Sequence, residues 1–460
     1  MGGNVTPVLE SLRSRMLGAS RWVVMGAASL HALRFASNLI ITRLLAPEMF
    51  GIMAVATTVG AIMTMLSDIG LRPAVMRSPR GADPAFLDTV WVLQIIRGGL
   101  LWGGSIAVAI ALYLVNSWGW VPTGSTYGNA LLPALIVATG FSSVIIGLAS
   151  TLSLSAIRRF DTKLPFQLDL VSTVVGLVVM IALARTTHSI WSLVLGTYAS
   201  TICGVALSHW FMPAPRHRLR IERASLVEIF SFGKWLALSS AITVFATNGD
   251  RLMLGAFATP QSLGLYAIAL SLVGALNIIL GQVLDSVLMP AFCEVARDDE
   301  ARLPGAYFRL RRRIDPIILA ISGALFGGGP LLISVLYDAR YAEVANLLQI
   351  LALGMIVERF AMAQQVYLAI NKPRYLVSIN MVRLLSTYSL VPIGYWLGGF
   401  TGAVIGVACR DLPILPLVFW FNSKHGLNNL KLELGLLAFW PAGLAFALVA
   451  EGAIRALRTW

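Results

Sequence analysis

The sequence predicts an all-α protein that crosses a lipid bilayer many times. Hydrophobic residues make up 57% of the 460 and charged residues only 12%, whereas a soluble domain is about a quarter charged. Thirteen apolar stretches lie near residues 20–43, 49–70, 88–115, 130–154, 166–184, 189–212, 232–257, 262–289, 316–336, 344–370, 375–397, 400–421 and 433–453. A helix needs about 20 such residues to span hydrocarbon. No segment alternates polar and apolar residues in the units of about ten that mark an outer-membrane barrel.

Residues 1–19 lack the apolar core of a cleavable signal peptide. Val5, Val8, Leu9, Leu12 and Met16 predict instead a short amphipathic helix on the inner surface. With the N-terminus in the cytoplasm, five of the 35 Lys and Arg residues (Arg43, Arg185, Arg340, Arg455, Arg458) fall in outside segments and six within spans. The remaining 24 fall in inside segments, as the positive-inside rule requires. That distribution accounts for the net charge of +13 without nucleic acid, and it places basic loops against an anionic leaflet. Cys203, Cys293 and Cys409 are dispersed and imply no disulfide framework. The five histidines show no metal-ligand spacing.

The first outside turn runs from Arg43 through Pro47 and Gly51 to Ala54, with proline closing one helix and glycine opening the next. An offset of 213 carries Pro47, Gly51 and Ala54 onto Pro260, Gly264 and Ala267, and Ala156–Arg159 onto Ala369–Lys372. Six helices separate the copies, so both halves enter the membrane in the same sense, related by an axis along its normal. The expected organisation is a six-helix lobe over 1–215, a cytoplasmic linker over 216–231, a second six-helix lobe over 232–425 around a shared central cavity, and an appended helix within 426–460. In the first inside turn, Asp68 and Arg72 have the spacing of a local ion pair. The outside loop 116–129 is uncharged, and its Trp118, Trp120 and Tyr127 suit an interfacial belt. Gly327-Gly328-Gly329-Pro330 reads as a break in helix nine, either a hinge or a packing kink.

Ionisable residues interrupt these apolar stretches, most plainly Asp250 and Arg251 within 241–260. A charge at the bilayer centre costs about 2.5–3.5 kcal/mol on the insertion scale and marks a functional-site candidate. Arg34, Arg97, Arg251, Arg359, Arg383 and Arg410 are the candidate substrate-binding residues, because guanidinium forks match phosphate. Asp169, Asp250, Asp285 and Glu358, with Asp411, are the candidates for ion coupling or for tuning those arginines. The alternative for each is an interhelical salt bridge that only holds the bundle together. Six arginines against five acids leave a weakly cationic lumen, which suits an anionic substrate.

Arg34, the run RLLAPEMFGIMAVATTVGAIMTMLSDIGL and the echoing hairpin NGDRLMLGAFATPQSLGLYAIA resemble the polysaccharide repeat-unit flippases. These form the polysaccharide transporter branch of the multidrug/oligosaccharidyl-lipid/polysaccharide exporter superfamily. The resemblance covers the chain to about residue 425. It implies two six-helix bundles and outward movement of an undecaprenyl-pyrophosphate-linked oligosaccharide across a bacterial inner membrane, for exopolysaccharide or O-antigen assembly. Arg251, Arg34 and Arg359 would hold the pyrophosphate. The implied partners are that glycan, membrane lipids and polysaccharide polymerase machinery, with a Na+ or H+ as coupling ion and no other cofactor. Thirteen stretches depart from the even count the resemblance implies, and the last lies outside the repeat.

The nearest rival is an ion-coupled multidrug antiporter of the same superfamily, which should carry acids without so many lumenal arginines. The other is a polymerase or membrane glycosyltransferase, which should carry a large outside loop or a cytoplasmic catalytic acid cluster. Asp298-Asp299-Glu300, the acidic run of the chain, sits in a charged inside loop and reads as solvated surface. No covalent chemistry is expected.

Overall fold

The computed structural model describes residues 26, 29–67, 70–122, 124–158, 161–212, 218–283 and 288–458. The expected surface helix over 1–19, the Asp68–Arg72 pair and Asp285 therefore lie outside the described residues. What is described is helical, with no strand among the described residues. The helices are α1 (29–44), α2 (Pro47–Leu66), α3 (Leu71–Arg77), α4 (Pro84–Ser117), α5 (Leu132–Gly147), α6 (Leu152–Arg158), α7 (Lys163–Thr187), α8 (Trp191–Trp210) and α9 (Arg223–Phe257). They continue as α10 (Pro260–Val283), α11 (Met289–Asp298), α12 (Leu303–Leu336), α13 (Val344–Glu358), α14 (Ala361–Ala369), α15 (Pro373–Cys409), α16 (Ile414–Lys424), α17 (Leu430–Leu437) and α18 (Phe439–Arg458). Nine helical segments among the described residues are long and apolar enough to cross a membrane, including 430–454. A tenth joins α5 and α6 across a 67° bend.

The chain forms two compact units, one of residues 1–45, 56–120 and 130–241, the other of 46–55, 121–129 and 242–460. Helices α2 and α9 are each continuous across a unit boundary.

In the first unit α7 packs on α8 and α4 on α5. Asp83 caps α4 by accepting from the Ala85 amide at 3.1 Å, with Pro84 at the first helical position, where its missing N–H costs nothing. The segment leading into α9 is fastened to this end of α4. Arg218 donates its amide to Asp88 at 3.0 Å, and Glu222 donates its amide to Thr89 at 3.0 Å. Arg80 donates to Asp83 at 2.9 Å and to Glu222 at 2.5 Å. The Arg80 guanidinium, with the Ala85 amide, holds the Asp83 carboxyl below its ordinary 3.8. The Ser225 hydroxyl, and then Arg80, hold Glu222 below its ordinary 4.5. Carboxyls depressed by folding stabilise the fastening above their ordinary values and release it as pH falls through the depressed ones. Acid pepsin is therefore expected to cut the 218–223 segment increasingly as pH drops from about 5 to about 3. Arg80→Gln is expected to admit the protease at the upper end of that range, and identical digestion of both proteins at every pH would remove the fastening.

In the second unit α12 packs along α18 and against α13, while α13 also meets α10 and α15. The turns at Pro47 and Pro260 meet here at van der Waals closeness. A Cβ on Gly51 would overlap the Pro260 carbonyl and the Gly264 amide, and a Cβ on Gly264 would overlap the Pro47 carbonyl. Glycine is required because the neighbour on each side is backbone. The contact is reciprocal between repeat-related positions, as in an isologous pairing. The same offset carries the 3-10 turn Thr126–Gly128, capped by Ser125, onto Ala339–Tyr341, capped by Asp338. Thr126 donates its amide (2.9 Å) and hydroxyl (3.0 Å) to the Ala258 carbonyl. Tyr127 donates to the Leu252 carbonyl at 2.7 Å, and the Tyr341 ring packs edge-on against Phe50 at 6.4 Å. Gly51→Ala and Gly264→Ala are each expected to cost about 1–3 kcal/mol through overpacking, read as a lowered thermal midpoint in detergent. Unchanged midpoints would remove the close approach.

Two expectations are corrected by the structure. Gly327-Gly328-Gly329-Pro330 does not break its helix, because α12 runs unbroken from Leu303 to Leu336 with Pro330 inside it. The glycines serve packing, since a Cβ at Gly323 would overlap the Trp440 carbonyl and one at Gly327 would overlap the Leu444 side chain on α18. The backbone departs from helix instead at Gly398–Gly399 in α15, where Gly399 has φ +59°, a conformation that favours glycine. The tenth apolar stretch stands as one membrane-length segment, Val344–Ala369, with α13 and α14 meeting at Arg359–Phe360. Lastly, Arg311, one of the 24 basic residues counted to inside segments, is fully buried in α12.

Candidate functional site

The first unit holds a cavity of about 560 Å³, lined by α1, α7, α8 and the turn after α5. Arg34 on α1 and Asp169 on α7 both line it, with Ser172, Thr173, Thr197 and Ser200 among the hydroxyls. Its size is that of a ligand pocket. Gly176 and Gly196 line it as well, where a Cβ on either would overlap the facing helix, so they seat α7 closely on α8. The Arg34 guanidinium and the Asp169 carboxylate form no ion pair or side-chain hydrogen bond with the described residues, and both are exposed. Ser172 donates to the Asp169 carbonyl at 3.0 Å and Thr197 to the Leu193 carbonyl at 2.8 Å. Their donors are therefore spent within the helices, while oxygen lone pairs remain to accept from water or a ligand hydroxyl. One cation, one carboxylate and several hydroxyl acceptors thus line the cavity, giving it partners for a polar group. Arg97, also in this unit, is otherwise engaged. It donates to Ser67 at 3.0 Å and to the Thr64 carbonyl at 2.6 Å, tying α4 to the end of α2.

The second unit gathers the remaining described candidates into two groups. In the first, Asp250 on α9 is 1% exposed, accepts from the Tyr266 hydroxyl and lies 3.8 Å from the Arg410 guanidinium. Asp411 accepts from Arg383 at 2.7 Å and sits 3.8 Å from Arg410. Glu358, at the end of α13, accepts from Asn277 at 3.0 Å within the field of Asp411, Arg410 and Arg383. Asp250 Oδ1 and Arg410 Nη1 are buried without a hydrogen-bond partner among the described residues. Arg251, next to Asp250 and half-buried, has no ion pair or hydrogen bond from its guanidinium among the described residues. In a chain that crosses a membrane, such a cation calls for an anionic counterpart or water.

The second group contains residues that sequence reasoning missed. Arg311 donates to Asp315 at 2.8 Å and pairs through both terminal nitrogens with Glu433. Arg359 lies 3.1 Å from Glu433 and 3.9 Å from Asp315. Phe360 lies beside both guanidiniums, at 4.9 Å from Arg311 and 4.8 Å from Arg359. Arg311 and Asp315 have no exposure and Arg359 and Glu433 have 5% each, so two positive and two negative charges cancel in a dry interior. Arg359 is thus placed in a neutral buried cluster and not, as expected, on an open lumen. A signal for the cluster was present: Tyr307, Arg311 and Asp315 recur every four residues on one helix face.

The chain is similar to known proteins of polysaccharide assembly. It is 21% identical over 301 residues to the lipopolysaccharide biosynthesis protein WzxC of Escherichia coli (strain K12), covering 65% of this chain and 58% of that one. It is 23% identical over 340 residues to the succinoglycan biosynthesis transport protein ExoT of Rhizobium meliloti (strain 1021), covering 72% and 65%. The matched part is thus less than two thirds of either relative's length. Among solved structures, the lipid II flippase MurJ in its inward closed conformation shares the fold, with a TM-score of 0.63 at 13% identity over 91% of each chain. Residues 40–346 match the family described as polysaccharide biosynthesis protein. A multi-pass helical chain with that match over most of its length belongs to the polysaccharide biosynthesis protein family.

Proposed function

We propose that this protein is a flippase that carries an undecaprenyl-pyrophosphate-linked oligosaccharide from the cytoplasmic to the outer leaflet of a bacterial inner membrane, for exopolysaccharide or O-antigen assembly. One observation carries the reading. Each compact unit presents a guanidinium, Arg34 in one and Arg251 in the other, that has no counter-ion among the described residues. An uncompensated arginine in a membrane span is costly, and a diphosphate supplies the missing charge in the geometry guanidinium prefers. The glycan is too polar for hydrocarbon, whereas its polyprenyl tail is at home there. Family membership and the named relatives' roles in polysaccharide assembly support the same reading.

Transport proceeds by alternating access, with the charged groups exposed first to one side and then to the other. Asp169, Asp250 and Glu358 are the described carboxylates suited to carry a coupling H+ or Na+, or to tune the arginines. The N-terminus lies in the cytoplasm, where the basic segments are. The deciding experiment reconstitutes the purified full chain in vesicles with a fluorescently labelled polyprenyl-pyrophosphate sugar and follows its loss from the accessible leaflet. Movement well above protein-free vesicles is the expected result. No movement of the glycolipid, with export of an organic cation down an ion gradient, would replace the flippase by an antiporter.

A further inference from the structure

At the junction of α13 and α14 two adjacent charges enter two different networks, as neighbours about 100° apart on a helix can. Glu358 faces Asn277 and the field of Asp411, Arg410 and Arg383. Arg359 turns to Asp315 on α12 and Glu433 on α17. One peptide unit thus joins a dry, neutral cluster to the polar network that includes Asp250 and Arg410. Of the four charges in the cluster, three come from α12 and from the junction itself, and the fourth comes from the C-terminal segment beyond the repeat. Its Glu433 is held by both terminal nitrogens of Arg311.

Without that carboxylate the cluster would keep Arg311 and Arg359 against Asp315 alone. A net positive charge in a dry interior drives rearrangement. The side chain with most freedom to leave is Arg359, whose Nε and Nη1 have no hydrogen-bond partner among the described residues. Its departure would drag Glu358 with it. The displacement has a path, because α13 lies tightly on the end of α15: a Cβ on Gly354 would meet the Ala408 carbonyl at 3.3 Å. Cys409, Arg410 and Asp411 follow directly.

We propose that Glu433 is a positioning residue, by which the C-terminal segment fixes the junction at Arg359 and thereby the geometry of the Glu358–Arg410–Asp411–Asp250 network. The segment is then a working part of the second unit and not an appendage to it. Only the consequence for transport rests on the flippase reading.

Cys409 supplies a reporter that needs no substrate, since it is half-buried and carries a free thiol. In a Cys203→Ser/Cys293→Ser background, its rate of reaction with a small maleimide is measured on the purified full chain. Glu433→Gln is expected to change that rate at least about threefold, the size of a coupling between neighbouring residues, and Glu433→Asp to restore part of it. Because Glu433→Gln leaves a buried charge and can fail to fold, the Arg359→Gln/Glu433→Gln pair decides the matter. It keeps the neutral Arg311–Asp315 pair while cutting the tether, and it is expected to shift the Cys409 rate as well. A pair variant that elutes as a monodisperse peak and reacts at the parent rate would overturn the proposal, as would single variants that lower only the thermal midpoint. A shifted rate in a protein that moves no glycolipid even when unmodified would uphold the positioning role and remove the flippase instead.

Discussion

Arg251→Ala is expected to reduce glycolipid movement strongly while sparing the fold, with Arg34→Ala having a comparable effect in the first unit. Both guanidiniums lack counter-ions among the described residues, so neither has a structural partner to lose. A charge-assisted hydrogen bond is worth about 1.5–3 kcal/mol, and about 1.4 kcal/mol is tenfold, so each variant should lose about 10- to 150-fold in apparent affinity. Folding should be largely spared, visible as an unchanged elution profile. Lysine at either position keeps the charge but not the planar fork, and should restore part of the activity. Arg97→Ala and Arg383→Ala make a useful contrast. They remove the bonds to Ser67 and Asp411 and should lower the thermal midpoint along with transport. Initial rates in vesicles across a range of glycolipid concentrations read the difference. Full activity of both Arg34→Ala and Arg251→Ala would take the pyrophosphate away from these residues.

Arg311→Met is expected to be the most damaging single substitution for stability. It strips the bidentate partner from Glu433 and the close partner from Asp315, leaving two buried carboxylates to Arg359 alone. Breaking a buried ion pair from one side costs about 3–5 kcal/mol, a large share of the about 5–15 kcal/mol by which proteins are stable. Replacing all four charges with apolar residues should recover most of the loss, since well-packed apolar groups often match or exceed a buried charge cluster. Thermal unfolding followed by size-exclusion chromatography would show the ordering. An Arg311→Met protein as stable as the parent would mean that the cluster is hydrated. If Glu433 positions the α13–α14 junction, the fully apolar variant should regain stability without regaining the Cys409 reactivity of the parent.

The legible part of this molecule was what depends on local pattern. Apolar length gave the membrane class, and the turns at Pro47 and Pro260 gave a register that the 3-10 turns at 126–128 and 339–341 share. The charges Arg34, Asp169, Asp250 and Arg251 stood out because each interrupts a stretch apolar enough to span a bilayer. What stayed hidden depends on partners distant in sequence. Arg311 lies in a run with Arg309, Arg312 and Arg313, where composition suggests solvent and only the helix face distinguishes one member. Glu433 is an ordinary acid among leucines until α17 brings it against α12. Arg359 looked like a lumenal cation for the same reason: its counter-charge lies 74 residues further on. The three glycines before Pro330 misled because glycine serves a kink and a close helix contact equally well, and the facing α18 decided which.

The membership of residues 46–55 and 121–129 in the second unit bears on how the chain can be divided. A gene cut in the 213–217 stretch would yield a downstream fragment deprived of the hairpin that seats Gly264 and of the loop that clasps Leu252 and Ala258. The later part of the chain is therefore not expected to be self-sufficient. Its maturation should await pieces already synthesised upstream, so fragment complementation is expected to require both products in the same bilayer at the same time.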